Sequence, residues 1–124
     1  MDDTTAPLFR QIAGLIEDGV IDGTLSPGSR TPSTNELADF HDINPATARR
    51  GLTLLADRGI LEKRRGLGMF VTPRARDIIL ARRREDFAAN FLVPLVDEAA
   101  KLDFTRAEVR TLIEAVAESR GLYR

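Results

Sequence analysis

Apolar residues recur at helical spacing near the start of the chain: Leu8, Ile12, Leu15 and Ile16 stand at i, i+4, i+7 and i+8 behind Pro7, whose fixed φ suits a first helical position. Arg10, Gln11, Gly14, Glu17 and Asp18 fall on the opposite side, so the pattern predicts a one-face amphipathic helix ending near Gly23. The stretch Thr24 to Pro32, with two prolines and a Pro-Gly pair, reads as turn and not as regular structure. Ser33 and Glu36 then have the spacing of a capping box, which predicts a short second helix with Leu37 and Phe40 pointing inward. Asn44 is a good N-cap and Pro45 belongs at the position after it, so the chain turns tightly and starts a third helix.

On that third helix Ala48, Gly51, Leu52 and Leu55 share one side, while Arg49, Arg50, Thr53 and Asp57 share the other. One side packs and the other offers two guanidinium groups. The helix stops at Arg58-Gly59, and two short extended runs, Ile60 to Arg65 and Met69 to Thr72, bracket Gly66-Leu67-Gly68 as a β-hairpin with a basic rim. From Ala75 to Lys101 the pattern is helical again and interrupted by Pro94, which should kink or divide the helix; a last helix starts at Thr105, with Glu108 completing a second capping box. This is a mostly α chain with a minor β component. Its expected parts are a winged helix-turn-helix over residues 1–73 and a helical region over 74–124.

The tail carries apolar stripes on Phe87, Phe91, Leu92 and Leu95 and then on Leu112 and Val116. About fifty residues in two helices remove too little surface from water to bury both stripes alone. They call for a second surface, most simply another copy of the chain, and these six side chains are the expected dimer contacts.

The 124 residues fit one domain, or a small domain with an appendage. There is no Cys and a single His, His41, so neither a disulfide framework nor a Cys/His zinc site can be assembled, and no cofactor is expected. The acidic start Met1-Asp2-Asp3 is unlike a signal peptide, and no uncharged run is long enough to span a bilayer, so a cytoplasmic protein without membrane attachment is expected. The net charge of −1 conceals a polarity: residues 49–84 carry 11 Lys and Arg against 3 Asp and Glu, or +8, between flanks of −6 and −3. A basic segment in a nearly neutral chain points to a polyanion partner.

The order helix, helix, turn, helix, basic hairpin is that of a winged helix-turn-helix, whose recognition helix enters the major groove of double-stranded DNA. Arg49 and Arg50 present planar forks that grip phosphate or the O6/N7 edge of guanine, and Thr47 and Thr53 are short donors beside them. Arg64 and Arg65, with Lys63, charge the hairpin, and Gly66 and Gly68 let its tip approach a sugar-phosphate surface. Asn44 and Thr47 sit at the helix N-terminus, where free N–H groups favour a phosphate oxygen.

Six ordered motifs, Pro7-Leu8-Phe9-Arg10-Gln11-Ile12, Leu25 to Arg30, Pro32-Ser33, Glu36-Leu37-Ala38, Asn44-Pro45-x-Thr47-x-Arg49-Arg50, and Arg64-Arg65-Gly66-x-Gly68-x-Phe70-Val71, resemble the DNA-binding domain of the GntR family of bacterial transcription regulators. The two-helix tail resembles the YtrA subfamily, in which such helices replace a large effector-binding domain and dimerise. The resemblance implies DNA contacts from Arg30, Thr47, Arg49 and Gly66, with Ser33 and Asn35 beside them at the opening of the second helix. Asn35 stands where many relatives have Arg, and Pro45-Ala46 where some have Arg-Thr, so base readout should differ. It further implies a homodimeric regulator, a repressor in expectation, on a near-palindromic operator. A small-molecule effector would act at the tail or its junction near Thr72 to Arg76.

Two other functional classes stand beside this one. The winged unit could be an adaptor whose basic hairpin meets an acidic protein. An enzyme is weakest, because no paired carboxylates, nucleophile-base set or phosphate loop is visible. Arg82-Arg83-Arg84 reads as a solvated helix face sooner than as a second nucleic-acid patch, and His41 as a surface residue.

Overall fold

Why the chain folds around its first helix is visible in a computed structural model, which describes residues 6–124. The acidic start Met1-Asp2-Asp3 lies outside the described residues. Helix α1 (Leu8–Asp22) buries Ile12, Ala13, Ile16 and Val20, and leaves Leu8 and Leu15 more than half exposed. The buried face is therefore turned from the expected Leu8-Ile12-Leu15-Ile16 stripe, and Glu17 turns inward with it.

Helix α2 (Thr34–His41) starts at the predicted capping box: the Ser33 hydroxyl accepts from the Glu36 N–H at 3.1 Å, and the Ser33 N–H donates to the Glu36 carboxylate at 3.0 Å. Leu37 and Ala38 are buried with His41 half-buried beside them. That arc turns Phe40 away, and Phe40 is 84% exposed instead of inward. Its ring meets the His41 imidazole edge-on at 4.9 Å. Helix α3 (Pro45–Asp57) is capped by Asn44, whose Oδ1 accepts from the Ala46 N–H at 2.8 Å, and buries Ala48, Gly51, Leu52 and Leu55 as predicted.

Strands β1 (Leu61–Arg64) and β2 (Gly68–Val71) pair antiparallel, with Leu61 opposite Val71 and Arg64 opposite Gly68. The stretch expected to be only turn contributes here. Gly28 and Thr31 donate backbone N–H groups to Val71 and Met69, and Ser29 accepts from Val71, so residues 28–31 line the open edge of β2. Unpaired strand edges are unfavourable, and this segment satisfies one.

Helix α4 (Ala75–Phe87) completes the core by burying Ala75 and Ile79 in the same cluster as Ile60, Leu61 and Val71. The first compact unit thus runs through Arg84 and does not close at residue 73. Glu17, expected on the polar side of α1, is 2% exposed under Arg82, Arg83 and Arg58, at 2.6, 3.1 and 3.4 Å. Arg82 and Arg83 are accordingly ion-pair partners, neither a free solvated run nor an open patch.

The second unit spans Glu85–Arg124. Pro94 divides the helix there through a π-helical turn (Ala88–Leu92), in which the Val93 N–H reaches back five residues to the Ala88 carbonyl. The widened turn accommodates a residue that lacks an N–H and whose ring would crowd the carbonyl four residues earlier. Helix α5 (Val93–Lys101) and helix α6 (Arg106–Ser119) follow, α6 opening on the predicted Thr105/Glu108 capping box. No helix among the described residues is long and apolar enough to cross a membrane.

Candidate nucleic-acid interface

The close packing of α3 on α1, α2 and β1 fixes which of its side chains face outward. Gly51 sets the distance to α1, since a Cβ there would stand 2.9 Å from the Phe9 carbonyl oxygen and 3.3 Å from Ile12. With that side sealed, Arg49, Arg50 and Thr53 are exposed and Thr47 is half-buried. Arg50 is not loose: its guanidinium carbon lies 3.9 Å from the centroid of the Phe9 ring. Arg49 has no ion-pair or ring partner among the described residues.

The hairpin repeats the arrangement. Arg64 stacks on Phe70 at 4.3 Å and pairs with Glu62 at 3.1 Å, while Arg65 and Gly66 are exposed at the turn. Gly68, at φ 119°, needs a backbone that a side-chain-bearing residue rarely adopts, and a Cβ there would meet the Arg30 Nε at 3.0 Å. Arg30 is therefore laid along the hairpin by the edge pairing of residues 28–31, and its other neighbour is Glu36 at 3.5 Å.

The two capping residues named as DNA contacts are each in use. Ser33 Oγ and Asn44 Oδ1 both accept backbone N–H groups, which leaves the Asn44 amide NH2 as a group able to donate outward, while the Ser33 hydroxyl is turned toward Glu36. Glu36 is held below the usual carboxylate range, first by the Ser33 backbone N–H and then by its hydroxyl. It stays anionic beside Arg30, and a phosphate arriving at Arg30 must compete with it. Asn35 is exposed on the same helix.

Periodicity and charge singled out Arg49, Arg50, Arg64 and Arg65, and the family resemblance added Arg30, but neither pointed to the rings beneath Arg50 and Arg64. Phe9 and Phe70 stood inside the quoted motifs with no role assigned. No spacing rule connects Phe9 with Arg50, because the pair forms only once α1 lies on α3.

The family model for bacterial regulatory proteins of the gntR family matches residues 8–71. The chain belongs to the gntR family. As a gntR-family protein it is a DNA-binding transcriptional regulator built on a winged helix-turn-helix. It is 29% identical over 115 residues to the HTH-type transcriptional regulator YhcF of Bacillus subtilis (strain 168), a match covering 93% of each chain. With YdeF of the same organism it shares 32% identity over 72 residues, 58% of this chain but only 16% of that longer relative. With the HTH-type transcriptional repressor YtrA, also from Bacillus subtilis, it shares 29% over 77 residues, covering 62% of this chain and 59% of YtrA.

Among solved structures, a GntR family transcriptional regulator from Listeria monocytogenes has the same fold over 93% of this chain and 98% of its own, with a TM-score of 0.70 and 24% identity. The DNA-binding domain of AraR, solved in complex with operator ORX1, matches 58% of this chain and 87% of its own at 25% identity and a TM-score of 0.54.

Proposed function

We propose that this gntR-family regulator acts as a homodimeric repressor in the cytoplasm, its two winged units occupying the halves of a near-palindromic operator. The observation that carries the reading is the exposed outer face of α3, where Arg49, Arg50 and Thr53 stand clear while the opposite face is buried. A helix so presented fits the major groove, with Asn44 and Thr47 at its N-terminus for a phosphate oxygen. Ser33, Asn35 and Arg30 flank it on one side, and Arg64, Arg65 and Gly66 lie along the sugar-phosphate backbone or minor groove.

Support for the dimer comes from the second unit. Phe87, Phe91, Leu92, Leu95, Leu112 and Val116 are between 37% and 58% exposed, and no residue of α5 or α6 is buried. A unit of about forty residues with that much apolar surface in water is not stable by itself, and a second copy supplies the missing cover. The repressor sign draws on the name of YtrA. Any effector would act on the spacing of the two heads.

Selection of bound duplexes from a random DNA pool at fixed salt tests the reading. The expected product has dyad symmetry with half-site centres about 34 to 36 Å apart, and its affinity falls steeply as salt rises. Failure to enrich any sequence, together with capture of an acidic protein, would favour the adaptor instead.

A further inference from the structure

Arginine side chains at a DNA interface are long and lose rotamer freedom when they bind, so one already held in place binds at lower cost. Arg50 is held. Its guanidinium lies 3.9 Å over the half-buried Phe9 ring, and Arg10 approaches the same ring at 5.7 Å. A guanidinium over a ring still has donors to offer an oxyanion, because it carries five N–H groups in a fixed fork and the ring cannot occupy them all. The direction matters as well. A guanidinium held against a ring of α1 lies toward that neighbouring helix, a placement that suits the sugar-phosphate rim of a groove better than its floor. The hairpin holds Arg64 in the same way on Phe70, its diagonal neighbour across the strands, at 4.3 Å.

We propose that Phe9 is a positioning residue for DNA binding: it presets Arg50 as a clamp on a backbone phosphate, which assigns base reading on that face to Arg49. The inference rests on the DNA-binding reading of α3 and adds a division of labour between two adjacent arginines. It also gives Gly51 a task, because only a residue without Cβ lets α1 bring the ring within reach of Arg50.

The test is a double-mutant cycle on the full chain, with binding to a selected operator and to a scrambled duplex of equal length followed by fluorescence anisotropy across a salt series. Phe9→Leu should weaken both duplexes by the same factor, about two- to fivefold, the size of a lost exposed cation-π contact. Phe9→Tyr should bind as the wild type. Arg50→Ala should weaken both duplexes alike and reduce the log–log salt slope by about 0.9, the loss of one phosphate contact. On the Arg50→Ala background Phe9→Leu should cost nothing further. Should Phe9→Leu unfold, Phe9→Met fills similar space without a ring and takes its place in the cycle. An equal loss on both backgrounds, or a loss confined to the operator, would overturn the assignment. Wild-type protein indifferent to both duplexes would overturn the DNA-binding reading itself, whereas wild-type binding with zero coupling overturns the positioning role alone.

Discussion

Replacing Glu17 by Ala removes the one anion that three guanidinium groups share inside the winged unit. Its side chain is 3% exposed, while those of Arg58, Arg82 and Arg83 are 26%, 32% and 39% exposed. Burial pushes Arg58 below the ordinary guanidinium value, with Arg82 adding repulsion and Glu17 opposing both. Arg83 is also penalised by burial, but hydrogen bonds to Asp18 and Glu17 outweigh that and raise it. Breaking a fully buried pair costs about 3 to 5 kcal/mol. Here each arginine keeps some water, and the share of Arg83, more than a third exposed, is screened. The expected loss is therefore about 2 to 3 kcal/mol. For a unit of this size that lowers Tm by roughly 10 to 20 °C. Urea unfolding followed by circular dichroism should show a lower midpoint at unchanged slope. Glu17→Gln keeps the volume and loses the charge, and should recover only part of the difference. If both variants stay within about 0.5 kcal/mol of wild type, the range of an ordinary surface change, the cluster contributes no net stability and the reasoning is wrong.

Three further outcomes are expected. Arg49→Ala should cost about 1 to 3 kcal/mol on the operator and relax preference at one base position, read by competition with single-base operator variants. Phe91→Asp places a charge among the apolar side chains of the second unit and should give a light-scattering mass of 13.7 kDa, not twice that value. Because Glu36 is held below its ordinary value of 4.5, the support it gives the α2 N-terminus is complete above that pH and is lost as acid takes the pH through its lower folded value; carbon-detected NMR titration should place its midpoint below 4.5.

Local rules read the chain well wherever the partners are near in sequence. Both capping boxes, the N-cap at Asn44, the two faces of α3 and the hairpin all depend on neighbours within a few residues, and each formed as predicted. Contacts closed by the tertiary fold were not legible. Glu17 looked polar and outward because its partner Arg82 stands 65 residues further along. Phe40 looked like core because it is apolar, but the inward arc of α2 was already taken by Leu37 and Ala38. Residues 28–31 read as turn from their Pro and Gly, while their backbone was needed to close the edge of β2. In the interface, charge identified the arginines and geometry supplied the rings that hold them.

If two copies present their α3 helices at one fixed separation, the distance between operator half-sites must matter. Lengthening the centre of the selected operator by about 5 base pairs rotates one half-site by half a turn of DNA, so that both heads can no longer reach the same side. Two chains per duplex are expected on the original operator, and affinity for the lengthened one should fall to that of a single half-site. Equal affinity for both, or one chain per duplex on the original, would contradict that arrangement.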